Sequence, residues 1–446
     1  MVIINVIKRE TQTKWGKLII CHLFKLHDYP LNVKSNELIN MKIAIWHNLP
    51  SGGGKRALYN HVKALKERGH YLEAWTTDLN MDYLPLKELI IEHSIPLAAK
   101  IGKTFKIKSP ILRNRQKIKV LKEHCALCAE EIEKRGFDII LANSCVYSYI
   151  SYISLFSSIP TAIYLGEPFR LLYEAFPDNI WQAPSFGFNI RNLGKFRRDF
   201  ELTYARRVQV REEINAASAY DSILVNSLYS KESILRAYGI EPRVCYLGVD
   251  ESKFIFKQNQ KEPYVVGLGK ISDSKSVNKT IIAVSRIIKS HRPVIKWISN
   301  GYDQSYLDYI IELAKKSDVT FQPLVSIDDE ELINVLGKAA VMIYTPKLEP
   351  FGLAPLEANM CGTYVIAVAE GGIRESIINN VNGTLFPANE TQVIADEMEK
   401  FISNLDFAFQ KGNEARIYTE DKWSFKAMGD NIEKELYSVI NSALKD

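Results

Sequence analysis

From Met41 the chain reads MKIAIWH, NLPSGGG, KRALYNHVKALKERGH and YLEAWTTD in succession. An apolar run, a glycine-rich turn, an amphipathic run with helical spacing and a second apolar run make a β–α–β unit. The runs DIILANS, PTAIYLG and DSILVNS then alternate with helical stretches. That alternation predicts a doubly wound parallel sheet.

Between Val244 and Pro263 the composition turns polar and charged, and the strand YVVGLG then restarts the alternation. A boundary near residue 255 follows. Beyond it IKWISNG, VTFQPL, AVMIYTP, TYVIAVA and GTLFP read as short strands of a second αβ domain. At 446 residues the chain has room for two such domains. The expected layout is an extension over residues 1–40, a first domain over 41–255, a second over 256–422, and a closing helix over 423–446 free to cross back to the first domain.

Composition removes several classes of function. Hydrophobic residues make up 46% and charged residues 24%, as in ordinary globular proteins rather than disordered ones. The net charge of +5 arises from 57 basic and 52 acidic residues, too balanced to announce a nucleic-acid partner. Six scattered cysteines make no disulfide framework, so a reducing, cytoplasmic setting is expected. Cys125 and Cys128 form a CxxC inside HCALCAEEIEK, which reads either as a core helix or as a zinc or redox pair lacking a second pair of ligands. No apolar run approaches the roughly 18–20 residues of a membrane span. KLIICHLFKL near the start is short and broken by His22 and Lys25, and is read as neither span nor signal peptide.

The stretch EPFGLAPLEANMCG carries the most chemistry. It begins at Glu349, directly after the strand AVMIYTP. Pro355 fits only the first turn of a helix, which leaves Glu349 in the loop, free amides at Gly352 and Leu353, and Glu357 inside the helix. Free amides suit an anion or a hydroxyl-rich ligand, and carboxylates can hold vicinal hydroxyls. A sugar nucleotide has both features; two merely solvated glutamates are the alternative. Gly371 and Gly372 follow the next strand, and NGTLFP closes the next turn.

Here the chain resembles the large family of retaining glycosyltransferases with the GT-B fold, whose hallmark is two glutamates with seven residues between them. The resemblance spans about residues 41–440 and implies two Rossmann-like domains facing a central cleft. It implies that Glu357 binds the nucleotide ribose, that Glu349 contacts the donor sugar, and that the amides around Phe351, Gly352 and Leu353 lie near sugar and phosphates. Lys270 and Lys275, in VVGLGKISDSKSVNK, resemble the arginine and lysine that neutralise the donor diphosphate. Lys270 replaces a bidentate fork by a point charge, and Ser276 stands where glycine is usual. By themselves the two lysines would read as surface residues.

The loop SGGGKRA resembles the family's glycine-rich loop, with Gly53 and Gly54 as candidates for close approach to a substrate. A rival reading takes Gly52, Gly54 and Ala57 as a G-x-G-x-x-A dinucleotide fingerprint with Asp78 as its ribose acid, making the chain a nicotinamide- or flavin-dependent oxidoreductase. That reading leaves Glu349, Glu357 and the lysines unexplained. In YLGEPFRLLYE the family's usual histidine before Glu-Pro is Gly166, which makes Glu167 an acceptor-side candidate. His47 either compensates for the missing imidazole or is a satisfied loop histidine. Trp423 in WSFKAM reads as a packing anchor.

The implied reaction moves a sugar from a nucleoside diphosphate to a hydroxyl of a glycan, lipid-linked or small-molecule acceptor, with retention. No aspartate-x-aspartate occurs, so no metal and no cofactor are expected, the sugar nucleotide being a co-substrate. A sugar-nucleotide-binding protein without turnover is the third class. Basic residues crowd Lys100–Lys119 and Lys195–Arg211, either as solvated faces or as a site for anionic lipid on the inner face of a membrane.

Overall fold

The computed structural model describes residues 40–77, 84–175, 178–186, 190–255 and 260–443. The expectations placed on residues 1–39 and on Asp78 lie outside the described residues.

The first sheet holds β1 (Lys42–His47), β2 (Tyr71–Thr76), β3 (Ile91–Ser94), β4 (Ile139–Asn143), β5 (Thr161–Leu165), β6 (Ser222–Val225) and β7 (Arg243–Val244). Its order is β3-β2-β1-β4-β5-β6-β7, every pair parallel. The helices around it are α1 (Gly53–Glu67), α2 (Ala98–Phe105), α3 (Pro110–Lys134), α4 (Arg170–Tyr173), α5 (Leu193–Ala217) and α6 (Leu228–Tyr238).

The second sheet runs β10-β9-β8-β11-β12-β13, again wholly parallel, from β8 (Glu262–Leu268), β9 (Val294–Ser299), β10 (Phe321–Val325), β11 (Ala339–Tyr344), β12 (Val365–Val368) and β13 (Gly383–Phe386). Around it lie α7 (Val277–Ser285), α8 (Gln304–Lys316), α9 (Asp329–Lys338), α10 (Leu353–Met360), α11 (Ile373–Ser376), α12 (Thr391–Ser403) and α13 (Leu405–Lys422). Strands covered on both faces must be apolar throughout, and β4 and β11 are buried at every residue.

Both sheets reverse their winding once, at β1/β4 and at β8/β11. A crevice opens beyond the carboxyl ends of the strands at such a reversal, because the flanking crossovers leave in opposite directions. The glycine-rich loop follows β1, while the Lys270–Lys275 and Glu349 loops follow β8 and β11. The motifs therefore sit at the two reversal points.

One face of the first sheet is packed by α3 and α5, with Trp46, Cys125, Cys128 and Ile163 in its core. One face of the second is packed with Val265, Trp297, Ile343 and Phe401. A third apolar cluster is continuous through both halves, from Ile43, Ile45 and Leu58 to Phe351, Leu356 and Val365, and takes in Ile432 and Leu436. Those last two lie on α14 (Phe425–Ala443), which packs against α1 of the first half. Arg68 donates to Asp430 at 2.7 Å and His70 meets Glu433 at 2.8 Å along that seam.

The CxxC belongs to the core of α3. Burial pushes the Cys128 thiol up to about 12 and that of Cys125 well above the usual range, so neither forms a ready thiolate.

Candidate donor site between the two halves

The loop after β11 is shaped by backbone geometry. Leu348 has φ 50° and Gly352 φ 95°, two left-handed residues that bracket Glu349. Gly371, at φ 74°, pairs with Glu349, and a Cβ there would lie 2.3 Å from the Glu349 carbonyl oxygen. The amide of Gly372 donates to that oxygen at 2.7 Å, and Ser376 Oγ donates to the Phe351 carbonyl, also at 2.7 Å. The double glycine is thus required by the closeness of two loops. It fixes where the Glu349 side chain leaves the chain.

α10 begins at Leu353 with Gly352 as its N-cap and Pro355 in the first turn, as the sequence predicts. The amides of the helix start face the loop end, while Glu357 is one turn further in and only 3% exposed. Phe351 turns its ring into the core at 5.4 Å from Trp423, so its side chain is structural and only its backbone can meet a ligand. Trp423 packs likewise against Tyr246.

Lys275 ends a single 3-10 turn after β8, and Ser276 follows with φ 51° and ψ 43°. That is a conformation glycine adopts without penalty, which explains why a serine here is a departure. Thr345 Oγ1 holds the turn by donating to the Ser276 carbonyl at 3.1 Å. Lys275 Nζ donates to Glu349 Oε2 at 2.7 Å, joining two motifs 74 positions apart. Lys270 is elsewhere engaged: its ammonium pairs with Asp303 and is half-exposed.

From the first half, Glu167 follows β5 and feels the charges of both Glu349 and Lys275. Burial, reinforced by the neighbouring carboxylates of Glu349 and Glu174, raises its carboxyl to about 7, against the pull of Arg170 at 3.7 Å. Gly166 lies beneath α6, where a Cβ would come 3.3 Å from Asn226 Nδ2. Gly53 and Gly54 open α1; a Cβ on Gly53 would meet nothing within 4 Å, so packing does not demand glycine there.

His47 has other partners. Its Nε2 meets Glu92 at 3.1 Å, and burial lowers its pKa in spite of that carboxylate. Lys55, at the start of α1, is buried beside the pair. None of the contacts described for His47 reaches Glu349, Lys275 or Glu167.

Three participants escaped sequence reasoning. Arg56 reaches across from α1 to Glu357. Glu375 caps α6 of the opposite half, accepting from the amides of Leu228 at 2.7 Å and Tyr229 at 3.0 Å. Ser227 Oγ donates to the Pro350 carbonyl at 2.6 Å. A charged residue beside a glycine loop was the available signal for Arg56; the other two depend on tertiary contacts alone.

Two parallel sheets whose reversal points meet at one set of glutamates and lysines define a two-domain GT-B protein. The fold recurs in the structure of HepE from Anabaena in complex with UDP and glucose, with TM-score 0.66 and 17% identity, covering 90% of this chain and all of that one. It recurs in sucrose-phosphate synthase of Thermosynechococcus elongatus with TM-score 0.66 and 18% identity, covering 91% of this chain and all of that one. Residues 248–417 match the glycosyl transferases group 1. Over these residues the chain is similar to the group 1 glycosyl transferases.

The curated relatives include an uncharacterized glycosyltransferase of Methanocaldococcus jannaschii, 28% identical over 44% of this chain and 50% of its own length. The alpha-1,3/1,6-mannosyltransferase ALG2 of Homo sapiens is 28% identical over 48% of this chain and 57% of its own length. The chain thus matches little more than half the length of these relatives.

Proposed function

We propose that this chain transfers a sugar from a nucleoside-diphosphate sugar to a hydroxyl acceptor with retention at the anomeric carbon, in the synthesis of a glycan, glycolipid or polysaccharide. The observation that carries the reading is the Lys275–Glu349 pair at the mouth of α10, with Glu357 in the same helix. Glu357 binds the ribose hydroxyls, and Glu349 contacts the donor sugar and orients Lys275. Lys275, the amides of Phe351, Gly352 and Leu353, and Lys270 after release from Asp303 take the charge that develops on the departing diphosphate. Gly53 and Gly54 let the opposite loop come close to the donor, and Glu167 accepts a hydrogen bond on the acceptor side. The acceptor oxygen attacks from the face the diphosphate leaves, and a phosphate oxygen receives its proton. The protein contributes fixed charges and amides to this step, and no metal or cofactor is assigned.

The structure of HepE in complex with UDP and glucose supports a sugar-nucleotide donor, and the mannosyltransferase ALG2 supports sugar transfer. The rival dinucleotide reading loses force because Arg56, inside its fingerprint, is turned onto Glu357.

We further propose attachment to the inner face of a membrane at the surface where the two basic stretches meet. α3 and α5 are joined by Ser109 to Glu201 at 3.1 Å and Lys122 to Glu212 at 2.6 Å. Lys103, Phe105 and Lys106 are exposed in the first stretch, and Lys195, Arg198 and Phe200 in the second, each a combination suited to anionic lipid. No helix among the described residues is long and apolar enough to cross a membrane.

The test is thermal stabilisation by UDP, GDP, ADP, NAD and NADP in turn. A ligand at about 100 times its dissociation constant adds roughly 2.7 kcal/mol. A shift with a nucleoside diphosphate is expected and names the base; a shift with NAD or NADP alone would replace this reading by the oxidoreductase.

A further inference from the structure

Arg56 and Lys55 are adjacent in the glycine-rich loop's helix, yet they serve different halves. Successive residues of a helix point about 100° apart. Lys55 turns inward beneath α1, beside His47 and Glu92. Arg56 turns outward, and its Nη1 donates to Glu357 Oε1 from 301 positions away. The side chains are 18% and 4% exposed, so this ion pair is largely withdrawn from water.

A carboxylate this deeply enclosed is costly without a partner. On the reading of Glu357 as the ribose ligand, the carboxylate meets two successive needs. With nucleotide bound, ribose hydroxyls donate to it. Without nucleotide, something else must, and an ionised carboxylate is an acceptor only. Arg56 is a strong donor already in place.

We propose that Arg56 is a gate on the donor site: it occupies the Glu357 carboxylate when the site is empty, and the ribose must displace it for the donor to bind. The gate belongs to the first half and its seat to the second, so donor binding exchanges a contact between halves for a contact with ligand. The halves stay joined elsewhere through Ser227 to Pro350 and Glu375 to the start of α6. The inference rests on the ribose role of Glu357, which the test separates from it.

Apparent affinity falls by the fraction of protein in the competent state. If the gated form outnumbers the open one about ten to one, removing the gate tightens nucleotide binding about tenfold. UDP, GDP and ADP are titrated calorimetrically into the wild type, Arg56→Ala, Arg56→Gln, Glu357→Gln and the Arg56→Ala/Glu357→Gln double variant, each checked first for an unchanged melting profile. Lys63→Ala is the control: it removes a charge from the same helix, where Lys63 pairs with Asp250 at 2.6 Å.

The gate predicts tighter binding in both Arg56 variants, no change in Lys63→Ala, and no gain from Arg56→Ala once Glu357 is glutamine, and the ribose role predicts weaker binding in the double variant than in Arg56→Ala. Unchanged or weaker binding in the Arg56 variants overturns the gate, as does an equal gain in Lys63→Ala or a gain that survives in the double variant. Equal binding by Arg56→Ala and the double variant overturns the ribose reading itself, because neither protein carries the gate.

Discussion

The two halves carry the same doubly wound sheet but build their functional edges differently. In the second half the edge is made by short-range backbone geometry: left-handed residues at Ser276, Leu348 and Gly352, and a double glycine pressed against Glu349. Its lysines and glutamates are paired, Lys275 with Glu349 and Lys270 with Asp303. In the first half the ionisable groups come from distant segments and are buried with weaker compensation. Glu167 and Glu213 both have carboxyls raised to about 7, chiefly by burial. A rigid loop can aim charges at a diphosphate, whereas a buried, easily protonated carboxylate responds to pH and to what enters beside it.

The largest effect separating the halves is expected at Glu349. Glu349→Gln keeps the loop but removes the charge that orients Lys275, and kcat should fall about a hundredfold to a thousandfold, the scale seen when one fixed transition-state group is lost. Steady-state kinetics showing wild-type turnover would remove the second half's claim to the chemistry.

A smaller effect is expected at Glu167. Its ionised form is the hydrogen-bond acceptor, so turnover should rise as pH passes through about 7. Glu167→Gln should abolish that rise and lower activity at pH 8 about tenfold to a hundredfold, the loss of one charged hydrogen bond. A pH–rate profile unchanged in the variant would exclude Glu167 from the acceptor side.

The smallest effect is on stability. Glu213 is fully buried, accepting from Gln209 at 2.8 Å and Tyr173 at 3.2 Å, with Lys117 nearby. Between the ordinary glutamate range and about 7 the folded chain keeps a proton that the unfolded chain releases. Its contribution to stability is therefore complete at low pH and is lost as pH rises through about 7. Glu213→Gln should flatten this dependence by about 1–3 kcal/mol, read as the difference between melting curves of variant and wild type from pH 4.5 to 8.

The same contrast governs what could be read from the chain. The sheets were legible because strands buried on both faces are apolar runs, as in IILAN and AAVMIY. The edge strand IEHS was not, since it is short and polar, although it supplies Glu92 to His47. The Glu349 loop was legible because proline and glycine mark its turns locally. Arg56, Ser227 and Glu375 were not, because their partners lie 301, 123 and 147 positions away. Lys270 shows the opposite limit: the spacing puts it beside Lys275, while its ammonium turns to Asp303.

The central claim, that the second half holds the nucleotide, is tested most directly by hydrogen exchange of the full chain with and without the nucleoside diphosphate that stabilises it. The account predicts slowed exchange at the amides of residues 269–277 and 349–357, with a weaker effect at 52–57. Slowed exchange confined to the loop after β1, with none after β8 or β11, would contradict it.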